Sequence, residues 1–154
     1  MESQPEFWRK AGRDDYSFIL KASKEFQAFG PYTEIIAGWL KDPWVETWVY
    51  REKAGFLMLG PLFPPYFRPY IDVMAIYVSP ERRRKGIGSK MLHLAEERAR
   101  KKGYQFLRAH VGCENLSALR LFQKAGFEIK KKIENYYPSG LSAFELQKKI
   151  KTSR

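Results

Sequence analysis

The sequence holds one cysteine, Cys113, and two histidines in 154 residues. A single thiol closes no intramolecular disulfide and, with so few histidines, offers no metal cluster, which suits a reducing, cytoplasmic setting. No apolar run approaches the ~20 residues that cross a bilayer. Met1–Pro5 has no basic region followed by an apolar one, so a secretory leader is not expected. Acidic residues are also in short supply. Seventeen Asp and Glu against 28 Lys and Arg leave a formal charge of +11, which implies an acidic partner. The chain is no disordered tail: 44% hydrophobic and 16% aromatic residues suffice for a core. A chain of this length buries about 70% of its unfolded surface. With no repeat or linker, residues 1–154 read as one domain.

The most informative stretch is Val73–Ser89. Val73 to Val78 is apolar and β-branched enough for a buried strand, and Ser79-Pro80 ends it. Arg82, Arg83, Arg84 and Lys85 then lead into Gly86-Ile87-Gly88, after which Ile87, Met91, Ala95 and Ala99 repeat at helical spacing. Strand, basic glycine turn and helix together make an anion site. Glycines let the backbone approach a ligand, and the first helical N–H groups have no internal partner. Neither a three-glycine dinucleotide fingerprint nor a Gly-Lys-Ser/Thr phosphate loop is present.

Elsewhere the pattern predicts a strand at Phe7–Ala11 and a helix from Asp14 or Asp15 through Phe18, Ile19, Ala22, Phe26 and Phe29. Gly30-Pro31 breaks it, and a second helix follows over Thr33–Leu40. Trp44–Tyr50 and Gly55–Leu59 read as a hairpin. Gly60–Tyr70, with four prolines and four aromatics including Tyr66, reads as a stiff loop suited to binding. Phe106–Val111 is a further strand, Asn115 caps a helix to Ala125, and Phe127–Ile129 and Leu141–Leu146 are the last strands. This order gives an α/β fold, a mixed sheet with helices on both faces.

Two motifs narrow the reading. Arg83-Arg-Lys-Gly-Ile-Gly88 has the form Arg/Gln-x-x-Gly-x-Gly/Ala, and Asn115-Leu-Ser-Ala-Leu-Arg-Leu-Phe-Gln-Lys-Ala-Gly-Phe127 follows Asn-x-x-Ala-x-x-x-Tyr-x-x-x-Gly-Phe except at Phe122. In this order and at this spacing the pair resembles the GCN5-related N-acetyltransferases, strongly over residues 70–150 and weakly over the first third. The closest resemblance is to enzymes that acetylate protein N-termini, such as the ribosomal-protein-alanine acetyltransferases.

The resemblance implies acetyl-CoA as cofactor, a core for it at about residues 70–127, and direct transfer of acetyl to an amine. By its motifs, main-chain N–H groups of Arg84, Lys85, Gly86, Ile87, Gly88 and Ser89 would hold the pyrophosphate, with Arg83 adding charge. Ile76 and Val78 would pair with the pantetheine arm, Asn115 would touch it, and an N–H at Ile76 or Tyr77 would face the acetyl oxygen. Phe122, where the family places a tyrosine acid, gives no proton, so it is expected to pack against the coenzyme or the core. Tyr77, Tyr136 or Tyr137, or water, is left to protonate the thiolate.

His110 is the candidate base, with structural packing as its alternative; Glu114 is a weaker candidate, and His93 is a bystander within the coenzyme helix. Tyr136-Tyr137-Pro138 resembles the loop that holds a substrate peptide's first residues, with Phe29, Pro31, Tyr32 and Tyr66 as further acceptor walls. The favoured acceptor is therefore a protein or peptide α-amine, with no membrane partner. Small-molecule amines are the alternative within the same chemistry. The basic runs Arg98–Lys102, Lys130–Lys132 and Lys148–Arg154 keep a less favoured, non-catalytic RNA- or ribosome-binding reading open.

Overall fold

In the computed structural model, which describes residues 7–62 and 69–151, a seven-stranded sheet separates two helical layers. The strands are β1 (Trp8–Lys10), β2 (Glu46–Tyr50), β3 (Gly55–Gly60), β4 (Tyr70–Val78), β5 (Phe106–Gly112), β6 (Glu128–Ile133) and β7 (Ala143–Lys149). They lie in the order β1-β2-β3-β4-β5-β7-β6. Every neighbouring pair is antiparallel except β4 and β5. That parallel step requires a crossover, supplied by α3 (Ile87–Lys101). On one face α3 and α4 (Leu116–Lys124) cover Ile71, Val73, Leu107, Ala109 and Val111. On the other, Ile19 of α1 (Tyr16–Ala22) and Ile36 of α2 (Tyr32–Leu40) pack on Val49, Phe56 and Met58. The expected mixed sheet with helices on both faces is the fold observed, and the Ile87, Met91, Ala95 and Ala99 series is buried throughout.

Several boundaries differ from the sequence expectation, each for a local reason. The first helix stops at Ala22 and tightens into a 3-10 segment over Ser23–Phe29. There the Ser23 hydroxyl donates to Leu20 C=O at 2.6 Å and meets Thr33 Oγ1 at 2.9 Å, competing with the helical ladder. β2 begins at Glu46 because the Asp42 carboxylate takes the Trp44 N–H at 2.8 Å and turns the chain. β4 begins at Tyr70, three residues ahead of the apolar run, since the buried Asp72 is fully partnered there. β6 and β7 extend through lysine-rich residues that carry no apolar alternation, because β6 is an edge strand with nearly all its side chains exposed. Tyr66 and its neighbours at 63–68 lie outside the described residues.

Candidate active site

β4 and β5 pair only from Tyr70↔Phe106 to Val73↔Ala109. Past that point β4 stays with β3 and β5 with β7, and the two part. A bulge at Met74, where Leu59 faces Val73 but Met58 faces Ala75, bends β4 at the parting. The register decides which main-chain groups face the gap. Ser79 N–H donates to Ala54 C=O at 2.8 Å. By antiparallel alternation Tyr77 and Ala75 then turn their N–H and C=O toward β3, while Ile76 and Val78 turn theirs into the gap. Across it, the Cys113 N–H bond to Ser142 C=O at 3.0 Å directs Val111 toward β7 and leaves His110 and Gly112 facing the gap. Of the two residues expected to offer an N–H to an acetyl oxygen, the register thus presents Ile76 and turns Tyr77 away. The Tyr77 ring stacks on Phe56, with centroids 5.6 Å apart.

A cleft of about 150 Å³ passes through this parting. Asn115, Ala118 and Phe122 line it from α4, and Phe29, Tyr32, Tyr136 and Tyr137 line it from the opposite face. The aromatic wall is held together by its own contacts. Phe29 lies 4.5 Å from Tyr137, and Tyr137 lies 4.7 Å from Tyr136 and 6.4 Å from Tyr32. Gly112 is what lets Phe29 in, since a Cβ there would come within 2.7 Å of the ring. The loop bearing Tyr136 and Tyr137 is tied to the 29–31 break: Ser139 N–H donates to Phe29 C=O at 3.1 Å. Gly30, at φ +146°, packs where a side chain would strike Pro138. Pro31 serves as N-cap of α2.

His110 sits between these walls. Its Nε2 lies 3.1 Å from Glu145 Oε1, and its ring stacks on Tyr136 at 4.6 Å and 8°. A carboxylate only accepts, so Nε2 carries the proton and Nδ1 is the accepting nitrogen. Burial lowers the His110 pKa; the Glu145 hydrogen bond and charge oppose that shift without cancelling it. His110 is therefore neutral at pH 7. The Tyr137 hydroxyl donates to His110 C=O at 3.4 Å. Burial pushes the Tyr136 and Tyr137 hydroxyls far up, so both stay protonated and are weak acids.

The basic turn lies at the start of α3. Gly86 is its N-cap at φ +81°, preceded by Arg84 at φ +64°. The first helical bond at this end runs from Lys90 N–H to Gly86 C=O, so the N–H groups of Ile87, Gly88 and Ser89 precede the ladder. Arg84, Lys85 and Gly86 are exposed. Arg83 is engaged elsewhere: its Nε donates to Val78 C=O at 2.8 Å, and its Nη2 lies 2.6 Å from Glu25. Asn115 caps α4 through Oδ1, accepting from Ala118 N–H at 3.2 Å. Phe122 is buried edge-on against Phe127 at 5.0 Å, and one side of it lines the cleft. The turn follows directly on β4, whose residues Val73 to Ile76 line the cleft. Glu114 is exposed outside the cleft, and His93 pairs with Glu97 on the α3 surface.

Sequence reasoning missed two groups. Glu145 is the register partner of His110, a relation set only by pairing of β5 with β7. Asp72 and Arg108 form a buried bidentate pair at 2.6 and 2.9 Å, one residue before the strands part. Asp72 Oδ2 also accepts from Leu62 N–H at 2.9 Å. Only the parallel register of β4 and β5 brings Asp72 and Arg108 together.

A model of the acetyltransferase (GNAT) family matches residues 6–127. The chain is 32% identical over 69 residues to an uncharacterized N-acetyltransferase of Methanocaldococcus jannaschii, covering 45% of this chain and 30% of that one. It is 30% identical over 80 residues to N-alpha-acetyltransferase 20 of Dictyostelium discoideum, covering 51% and 46%. The matches thus span less than half the length of either curated relative. The ribosomal-protein-S18-alanine N-acetyltransferase of Escherichia coli has the same fold, with a TM-score of 0.78 at 20% identity over 96% of this chain and 95% of that one. No helix among the described residues is long and apolar enough to cross a membrane. With a family match over most of its length and a sheet that parts beside a basic helix start, the chain belongs to the acetyltransferase (GNAT) family, whose members take their acetyl group from acetyl-CoA and pass it to an amine.

Proposed function

We propose that the protein acetylates the α-amine of a peptide or protein N-terminus by direct attack in a ternary complex. The observation that carries this reading is a buried, neutral His110 between Glu145 and Tyr136 at the aromatic end of the cleft. Bound there, acetyl-CoA supplies the activated acetyl; the rest is the chain's own work. The N–H groups of residues 84–89, with Arg84 and Lys85, hold the pyrophosphate. Ile76 and the Val78 N–H would offer a strand edge to the pantetheine arm, and the Ile76 N–H, which faces the gap, would donate to the acetyl oxygen. Phe29, Tyr32, Tyr136 and Tyr137 wall the acceptor from water.

The choice of amine follows from proton affinity. At pH 7 a lysine amine gives up its proton at about 4.6 kcal/mol and an α-amine at about 1 kcal/mol. A histidine with a lowered pKa suffices for the second and is badly matched to the first. No side chain is required to protonate the thiolate: a thiol pKa near ~8.5 makes it a tolerable leaving group, and water serves. Phe122 in place of a tyrosine then slows turnover without abolishing it.

The RNA-binding alternative is weakened by how the basic runs are used. Arg98 and Lys102 pair with Glu46, Arg100 and Lys148 with Glu96, and Lys130 and Lys132 with Glu128 and Glu134. The test is acetyl-CoA turnover on a panel of N-terminal peptides beside polyamines and aminoglycosides. Thiol release with peptides is expected, and turnover confined to small amines would sink the peptide claim.

A further inference from the structure

The base proposed above has a partner that no motif assigns. We infer that Glu145 is a positioning residue for His110, fixing both the plane of its ring and the nitrogen that receives the acceptor's proton. This rests on His110 being the base.

The argument begins with register. His110 and Glu145 face each other across β5 and β7, and by the alternation set at Cys113 and Ser142 theirs is a non-hydrogen-bonded pair. In such pairs the side chains approach most closely. Both are nearly buried, with 7% and 13% of the side chain exposed, so the contact is poorly screened by solvent. Glu145 is itself held: its Oε2 accepts from Gln147 Nε2 at 3.2 Å while Oε1 meets His110. Tyr136 closes the other side of the ring by parallel stacking. An imidazole gripped at Nε2 and across one face has little freedom to flip, so the lone pair stays on Nδ1. A base oriented by a third group in this way is the arrangement that nucleophilic enzymes use to fix a histidine tautomer.

Other charged or titratable groups bear on the same ring. Asp72 on β4 acts in the same direction as Glu145, and Arg108 on β5 acts against it. Lys131 on β6 is the cross-strand partner of Glu145. Tyr32 on α2, with Tyr136 and Tyr137 in the β6–β7 loop, lines the cleft as a neutral phenol. Glu145 meets the imidazole edge at Nε2. Its removal should therefore lower the His110 pKa further and release the ring.

The experiment compares wild type, Glu145→Gln and Glu145→Leu. Gln keeps the shape and one accepting oxygen but loses the charge; Leu loses both. Ring-nitrogen NMR of His110 in the unliganded protein reads tautomer and titration without any acceptor. The pH profile of kcat/KM on a peptide is then measured for each variant. Wild type is expected to hold the Nε2–H tautomer. Glu145→Gln should keep that tautomer while both the titration and the acidic limb move down by about half a pH unit or more. Glu145→Leu should mix tautomers and lose about tenfold in kcat, with the KM for acetyl-CoA unchanged. A Glu145→Leu protein that folds, keeps the pure tautomer and shows the wild-type limb would overturn the inference, as would a Glu145→Gln titration that does not move. If the NMR changes appear but no variant acetylates a peptide, the proposed function fails and the coupling of Glu145 to His110 stands.

Discussion

Replacing Asp72 by Asn should cost this fold more than almost any other isosteric change. Asp72 and Arg108 are 1% and 4% exposed, so their charges are screened by each other and not by water. The Arg108 fork spans both carboxylate oxygens, and one of these also takes the Leu62 N–H. Asparagine keeps the shape but offers a single carbonyl to three N–H groups and removes the carboxylate that the buried guanidinium grips with both arms. Breaking one side of a buried pair in this way costs about 3–5 kcal/mol. For a chain of this length that corresponds to roughly 6–20 °C in Tm. Converting both partners to apolar residues, Asp72→Leu with Arg108→Met, removes the buried charge and should recover most of the loss. Urea unfolding of wild type, both single variants and the double variant measures the coupling directly. A cost below about 1 kcal/mol for Asp72→Asn would refute the claim that this pair anchors the sheet where β4 and β5 separate.

Three further outcomes are expected. His110→Ala should lower turnover about a hundredfold and erase the acidic limb, which in wild type falls below the ordinary histidine range because burial lowers that pKa; a pH–rate series checks both. Gly112→Ala should push Phe29 out of its seat, raising the acceptor KM while calorimetric binding of acetyl-CoA stays unchanged. Burial pushes the Glu46 carboxyl up, but hydrogen bonds from Arg98, Lys102 and Trp48 outweigh it and bring the group down to about 2 instead of 4.5. Its folded pKa is depressed, so its contribution of about 3 kcal/mol is complete above pH 4.5 and lost as pH falls toward 2. Glu46→Gln should therefore lower stability at pH 7 and flatten acid unfolding between those values, followed by circular dichroism.

What could be read from the chain beforehand was whatever local spacing encodes. Ile87, Met91, Ala95 and Ala99 announce a buried helix stripe, Asn115 announces a cap, and both are found. The basic glycine turn was legible because Gly86 stands where the backbone turns left-handed. Relations between distant residues were not. Nothing near His110 in sequence points to Glu145, 35 positions away, and nothing near Asp72 points to Arg108. Each pair exists only through strand register. The lysines of β6 misled for a related reason: an edge strand buries little, so it carries no alternation and reads as a charged run. The preference for Ile76 over Tyr77 is a matter of main-chain direction, which side chains do not record.

The most direct test gives the protein acetyl-CoA and one peptide bearing both a free N-terminal amine and an internal lysine, then locates the acetyl group by fragmentation mass spectrometry. At pH 7 the proton-affinity gap between the two amines is about 3.5 kcal/mol, equivalent to a few hundredfold. Acetyl on the α-amine alone is the predicted result. Acetyl on the lysine side chain, or a peptide returned unmodified while small amines are consumed, would contradict the account.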